Sequence, residues 1–251
     1  MTRSMVHRST LAFAALLLAS NMAALTAAQD ATPVATPDAA LGAQLDDIAR
    51  ETAELRGLPP LADIDDRVFT RDELKVKLPE MIEEELDRAE LAGATRALEA
   101  LGLLPPGSDL EDLTLRLLGE QVAGFYDPLT DEMYVVEDGE FSAEAYYYAH
   151  ETTHALQDAY LDPDDLMEKI DSDNDDESMA QAALYEGDAV VTSNEYLAKH
   201  PELLTDLLRE ASGDTAEMDA APAAAVVTLI FPYISGQPFV EKLRDEGGWE
   251  A

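Results

Sequence analysis

Two of the four histidines in this chain stand four residues apart, in the segment His150-Glu151-Thr152-Thr153-His154. In an α-helix, residues four apart lie one turn apart on the same face, so the pair predicts a helix here. Two neutral imidazoles on one face can bind a single Zn²⁺ at about 2.0–2.1 Å, and Glu151 beside them can accept a proton from zinc-bound water. The alternative interpretation is an exposed helix that carries two histidines by chance.

The motif supplies two protein ligands, so a third has to come from elsewhere in the chain. The metzincin extension is excluded because Gln157 and Tyr160 occupy the positions of its glycine and histidine. Asp158 lies two helical turns, about 12 Å, beyond the first histidine, which is too far to share a metal with it. His200 ends a predicted helix beside a lysine and is a weak candidate, since a solvated histidine at a helix end explains it better.

Glu186 is the favoured third ligand. The residues that share its face of a helix are small or apolar: Ala182, Ala183, Ala189 and Val190. A carboxylate in such surroundings is buried, which is costly unless the group is paired or bound to a metal. The small neighbours also allow this helix to approach the histidine helix closely. Glu195 is the competing candidate, but its neighbours are those of an ordinary solvated residue.

The hydrophobic pattern predicts a mainly helical α+β fold. Helical periodicity covers six segments: 41–56, 71–102, 109–121, 143–160, 178–199 and 201–211. Segment 124–127, a turn, and segment 132–137 predict a β-hairpin just before the histidine helix. A further segment, 222–245, is apolar and then amphipathic, and contains Pro232 and Gly236.

The charge of the chain limits its partners. It has 53 acidic and 16 basic residues among 251, a formal net charge of −37, and no cysteine. The lack of cysteine excludes disulfides, thiolate metal sites and a cysteine nucleophile. The phosphates of nucleic acid would be repelled, so we expect no nucleic-acid partner, and an anionic membrane surface is equally disfavoured. Because 47% of the residues are hydrophobic, we expect the charge to cover an ordinary core.

Residues 1–28 have the pattern of a secretory signal peptide. Two arginines precede an apolar run of about 15 residues, which is shorter than the roughly 20 that a membrane-spanning helix needs. An uncleaved anchor is the alternative; after cleavage we expect no stable membrane span and a secreted or extracytoplasmic location. The Ala-Thr-Pro repeat of 29–40 predicts a linker. The remainder divides into a helical N-terminal region, 41–121, and a metal-binding region, 122–251.

The motif and its downstream glutamate resemble those of the gluzincin metallopeptidases. The blocks GFYDPLTDEMYV, AHETTHALQD and ALYEGDA are also similar to a family of uncharacterised bacterial exported proteins, over about residues 110–250. The resemblance implies a zincin-like domain with a small β-hairpin or sheet beside the active-site helix. It implies His150, His154 and Glu186 as zinc ligands, water as the fourth ligand and Glu151 as the general base. It also implies a peptide or protein substrate, and further residues beyond the present C-terminus.

The chain departs from the gluzincin pattern behind the third ligand. Many gluzincins place an aspartate four residues after the glutamate, where it orients a ligating histidine, but here that position is Val190. Asp188 is only two residues on and faces another direction, so its supporting role is doubtful. Asp158, one turn beyond His154, is another weak candidate for that role.

Three further features are left open by the sequence. Strand 132–137 either binds an extended substrate by strand addition or is merely structural. Four tyrosines are candidates for the donor that stabilises a developing oxyanion: Tyr126, Tyr146, Tyr147 and Tyr233. The acidic loop 171–178 lacks the glycine and glutamate of a calcium-binding EF-hand, so a solvated loop is the better interpretation.

A secreted zinc peptidase is therefore the expected function. The alternative is a non-catalytic exported module that keeps zinc for folding, or keeps only the fold. Structural zinc sites are usually closed by four protein ligands, whereas only three are evident here, and this favours catalysis.

Overall fold

A computed structural model describes residues 36–62, 64–70, 72–74, 76, 88–121, 123–128, 130–136, 141–161, 175–211 and 215–250. The predicted signal peptide 1–28, most of the linker 29–40 and the first half of the acidic loop 171–178 lie outside these ranges. Export and cleavage therefore stay predictions of the sequence.

The described chain is mainly helical with one small sheet, which confirms the predicted α+β class. The helices are α1 Ala39–Arg56, α2 Arg88–Ala100, α3 Leu110–Gln121, α4 Glu144–Leu161, α5 Asp175–Lys199, α6 Leu204–Ala211, α7 Ala216–Ala220 and α8 Ala223–Gly247. The strands are β1 Asp65–Phe69, β2 Gly124–Asp127 and β3 Glu132–Val136. Two short 3₁₀ turns, Pro201–Leu203 and Gly248–Glu250, follow α5 and α8.

The sheet has the order β1-β3-β2. Strands β2 and β3 pair antiparallel, as the hairpin prediction requires, and β1 pairs parallel with the other edge of β3. Strand β1 was not expected, because its first three residues, Asp65-Asp66-Arg67, are charged and only two apolar residues follow. Its position decides between the two alternatives left open for 132–137: both edges of Glu132–Val136 are already paired, so this strand is not free to bind a substrate by strand addition.

Each face of the sheet supports a separate apolar cluster. On one face Phe125 and Val136 join residues of α2 and α3. On the other face Met133 and Val135 join residues of α1 and α4. Alternate residues of a strand point to opposite faces, so β3 contributes to both clusters. The second cluster fixes α4, the histidine helix, against the sheet and α1.

Helix α1 has clear sequence signals at both ends. Asp38 caps its start, since one carboxylate oxygen accepts from the backbone nitrogens of Ala40 and Leu41 at 2.9 Å. Gly57 ends it in the left-handed conformation, at φ 76°, which favours glycine. The last helical residue, Arg56, is buried.

Helix α8 is continuous through Pro232 and Pro238. By length and composition it is the one helix among the described residues that could cross a membrane, with 22% of its apolar stretch buried. Core helices of soluble proteins meet the same criterion, so the predicted absence of a membrane span in the mature chain stays a prediction.

Helices α5 and α8 touch through glycines. A Cβ atom at Gly236 of α8 would lie 1.8 Å from the carbonyl oxygen of Ala183, and one at Gly187 of α5 would lie 2.3 Å from the Gly236 carbonyl carbon. Neither position can hold a side chain at this distance. Two small residues of α5, Ala183 and Gly187, therefore allow this close contact with α8.

Candidate metal centre

The histidine motif lies on the buried face of α4, as its spacing predicts. The side chains of His150, Glu151 and His154 are all buried, and Glu186 of α5 is fully buried opposite them. Helices α4 and α5 pack against each other, so residues 36 positions apart in the sequence meet in one place. Among the residues that the structure describes, His150, His154 and Glu186 form the one group arranged to hold a metal ion.

Three potential ligand atoms converge at this point. The Nε2 atoms of His150 and His154 are 3.2 Å apart. The Oε2 atom of Glu186 is 3.1 Å from the first and 3.4 Å from the second. Ligands on one tetrahedral ion with bonds of about 2.0–2.1 Å are separated by about 3.3 Å. The three distances therefore match those of a shared metal ion.

The polar groups of the site are not satisfied by the protein alone. Glu186 Oε1 is buried and has no hydrogen-bond partner. Such an orphaned carboxylate oxygen is costly in a protein interior. A bound cation in contact with Glu186 would compensate for this cost, so the donor set fits a metal.

The site stabilises positive charge. Burial alone would raise the pKa of Glu186, but the charge of His154 and hydrogen bonds from both imidazoles lower it to about 2. Burial opposes the charged form of His154, but Glu186 and Glu151 raise its pKa to about 9. A bound divalent cation would supply positive charge at the same point.

Glu151 is held by the hairpin. Its Oε2 atom accepts a hydrogen bond of 3.1 Å from the backbone nitrogen of Tyr126 in β2. Burial is the largest influence on its pKa and raises it above the ordinary value, while the two histidines oppose this shift. A carboxylate with a raised pKa accepts protons more readily near neutral pH, which suits a general base. The hairpin thus positions this residue.

Gln157, which excludes the metzincin motif, has a further role in the structure. Its Oε1 atom is 2.9 Å from Nδ1 of His154. Its amide nitrogen donates to the carbonyl oxygen of Tyr185 at 3.0 Å and to Asp188 Oδ2 at 2.9 Å. Gln157 stands three residues after His154, on the same helix face, and this spacing was the available signal.

The structure distinguishes among the four candidate tyrosines. The ring of Tyr233, from α8, stacks on the His150 ring with centroids 6.1 Å apart. Burial, and the nearby charges of Glu186 and Glu151, raise the pKa of Tyr233 well above its ordinary value. The Tyr126 hydroxyl reaches Asp131 and Asp158, the Tyr146 hydroxyl reaches Asn194, and the Tyr147 ring packs edge-on against Tyr146.

The weaker ligand candidates lie outside the triad. Asp158 accepts a hydrogen bond from the Tyr126 hydroxyl at 3.0 Å, whereas the Nδ1 atom of His154 contacts Gln157. Glu195 forms an ion pair with Arg244. His200 lies 2.9 Å from Glu51 of α1, at the surface. The preference for Glu186 over these residues therefore agrees with the geometry of the site.

The site combines two histidines, a buried glutamate and a neighbouring general-base candidate, and it can hold a metal ion. This arrangement is compatible with the resemblance to gluzincins, which rests on the motif residues. No protein-family model, curated protein or solved structure matches the chain.

Proposed function

We propose that this protein is a zinc-dependent peptidase that hydrolyses peptide bonds with a metal-activated water. The observation that carries the proposal is the convergence of His150, His154 and Glu186, with ligand atoms 3.1–3.4 Å apart in a buried site. Glu151 follows the first ligand directly and lies in the same buried cluster, as a general base must.

The donor set favours zinc. Two imidazole nitrogens and one carboxylate oxygen are the ligands of many catalytic zinc sites, in which the fourth position stays open. Calcium and magnesium prefer sites made of oxygen alone, and no thiolate is available to select a softer metal. Three protein ligands therefore support a catalytic ion in preference to a structural one.

The side chains around the metal have distinct roles in this proposal. Zinc held there would polarise the scissile carbonyl and lower the pKa of a water molecule. Glu151 would take the proton of the attacking water and return it to the leaving amine. Tyr233, stacked on His150, is the best-placed tyrosine to donate a hydrogen bond to the developing oxyanion.

The location of the protein and its class of substrate are inferred from the sequence. We propose that the protein acts outside the cytoplasm on peptides or proteins, on the basis of its signal-peptide pattern and motif resemblance. A net charge of −37 supports the exclusion of nucleic acid as a partner.

The test is hydrolysis of a peptide mixture by the purified, zinc-loaded protein, followed by mass spectrometry. Glu151→Gln is expected to retain zinc and lose at least about 10²-fold in rate, since it lacks a basic carboxylate. Tyr233→Phe is expected to retain zinc and lower kcat. Glu54→Gln, an exposed carboxamide substitution in α1, is the matched control.

Two results would contradict the proposal. Hydrolysis by Glu151→Gln at the rate of Glu54→Gln would remove Glu151 from the mechanism. Stoichiometric zinc without hydrolysis of any peptide in the mixture would support the alternative, a non-catalytic exported module that keeps zinc for its fold.

A further inference from the structure

A chain of polar contacts leads from the metal centre to the N-terminal helix. His154 contacts Gln157, and Gln157 donates to Asp188 Oδ2. The other carboxylate oxygen of Asp188 lies 2.7 Å from Nε of Arg56, the last residue of α1. The Arg56 and Asp188 side chains are only 11% and 9% exposed, so this is a buried ion pair. It is a close charge contact and not an aligned hydrogen bond.

Arg56 is itself held from the C-terminal end of the chain. Its guanidinium carbon lies 4.1 Å from the centre of the Trp249 ring, and Arg244 lies at 4.4 Å from the same ring. The indole nitrogen of Trp249 donates to the carbonyl oxygen of Leu55 at 2.9 Å. A Cβ atom at Gly57 would lie 3.3 Å from Trp249, so the glycine leaves room for the ring. The C-terminal end of α1 therefore contacts Trp249 behind the metal centre.

This arrangement determines which way the Gln157 amide points. Its NH₂ group donates to two acceptors, Tyr185 O and Asp188 Oδ2, so its oxygen must face His154. An amide oxygen can only accept, and the proton of His154 must then be on Nδ1. The Nε2 lone pair is thereby left for the metal. Without the charge of Arg56, Asp188 would be a buried, unpaired carboxylate free to take another partner.

We propose that Arg56 is a positioning residue of the metal centre, which acts through Asp188 and Gln157 to hold His154 as a ligand. Helix α1 and Trp249 then contribute to the metal centre. The inference rests on metal binding in the proposed function, but it does not depend on hydrolysis.

The test compares zinc affinity, measured by competition with a chromophoric chelator, in the full chain and its variants. Arg56→Met keeps the length of the side chain but loses its charge, and is expected to bind zinc at least about tenfold more weakly. Arg56→Lys keeps the charge and should restore most of the affinity. Arg50→Met removes an exposed arginine of the same helix and should bind like the wild type.

The visible spectrum of Co²⁺ in the site is the second measurement, because it reports coordination geometry and not stability. We expect an altered spectrum in Arg56→Met and an unchanged one in Arg50→Met. If Arg56→Met does not fold, the same two measurements are made on the double variant Arg56→Met/Asp188→Asn, which leaves no unpaired charge. It should also bind zinc more weakly than the wild type.

The outcomes separate the two claims. Equal zinc affinity and equal Co²⁺ spectra in the Arg56 and Arg50 variants would overturn the positioning role and leave the proposed function intact. A wild-type protein that binds neither metal would contradict the proposed function, and the positioning role with it.

Discussion

A fully buried carboxylate needs compensation, and Glu186 is the residue on which the metal centre depends most. The energetic cost of burying a charged group without a partner is several kcal/mol, so such residues are rare unless they bind something. Both imidazoles approach one of its oxygens, while the other oxygen has no partner. Glu186 therefore has a local reason to bind a cation, and it belongs to the one group of described residues that is arranged to hold one.

Asp66 is a buried carboxylate away from the metal centre, and its ionisation should affect the stability of the fold. It lies in β1 and accepts a hydrogen bond of 2.9 Å from the Tyr148 hydroxyl. Burial raises its pKa to about 6, and nearby Asp46 adds to this, although the hydrogen bond from Tyr148 works against it. Because the pKa is raised on folding, the native state binds more protons between about pH 4 and 6, and stability falls as pH rises through that range.

Asp66→Asn should remove this loss while keeping an acceptor for Tyr148. We expect the variant to gain roughly 1–3 kcal/mol in unfolding free energy, relative to the wild type, between pH 4 and pH 7. Urea unfolding at several pH values measures this difference. Parallel pH profiles for the two proteins would show that Asp66 ionises normally in the fold.

At the scale of elements, the contact of α5 with α8 places Tyr233 beside the metal centre. The two helices meet at Gly187 and Gly236, and Tyr233 lies one turn before Gly236. Close approach of the backbones is possible only because neither residue has a side chain. The α8 contribution to the site thus depends on Gly236 and on Gly187, which directly follows the ligand candidate Glu186.

Gly236→Ala is expected to destabilise the protein by about 3 kcal/mol or more, because the new methyl group would overlap the Ala183 carbonyl. Gly119→Ala is the matched control. Gly119 also lies within a helix, but a Cβ atom there would meet nothing within 4 Å. That variant should be neutral or more stable by roughly 0.5–1 kcal/mol, as helix propensity predicts. Thermal unfolding distinguishes the two, and equal stabilities would contradict the close helix contact.

The elements that could be predicted from the sequence are those with local signals. Helix α4 and the β2–β3 hairpin follow from histidine spacing, apolar periodicity and turn residues. Strand β1 could not be predicted, because its charged residues form a strand only through pairing with the distant β3. For the same reason the sequence left the strand-addition alternative for 132–137 open: the pairing that excludes it is non-local.

The same distinction between local and non-local signals applies to the metal centre. Its ligands could be predicted because one pair is set by helix spacing and Glu186 by its small, apolar surroundings. The support behind His154 could not, since Arg56 and Asp188 lie far apart in the sequence and nothing local relates them. We expected Asp188 to face away from the ligands. In the structure its contact with His154 is indirect and runs through Gln157.

At the scale of the whole molecule, a net charge of −37 is the dominant electrostatic property. Like charges repel one another more strongly in the compact native state than in the expanded unfolded chain, and dissolved salt screens this repulsion. Exposed ion pairs, such as Arg50 with Asp47, offset little of it.

We therefore expect sodium chloride to stabilise the protein. Between about 20 mM and 300 mM salt the Tm should rise by several degrees, since 1 kcal/mol corresponds to roughly 2–4 °C for a domain of this size. Potassium chloride at the same ionic strength should have the same effect, because screening does not depend on the cation. A Tm that is constant or falls over this range would contradict the account of surface repulsion.

The most direct measurement is a zinc titration of metal-free protein, with Glu186→Gln and Glu195→Gln as a matched pair on helix α5. The wild type and Glu195→Gln are predicted to bind one zinc ion per chain, because Glu195 pairs with Arg244 and not with the triad. Glu186→Gln, which has lost the charged ligand, should bind at least about 10²-fold more weakly. Zinc binding by Glu186→Gln as tight as that of Glu195→Gln would contradict the metal centre.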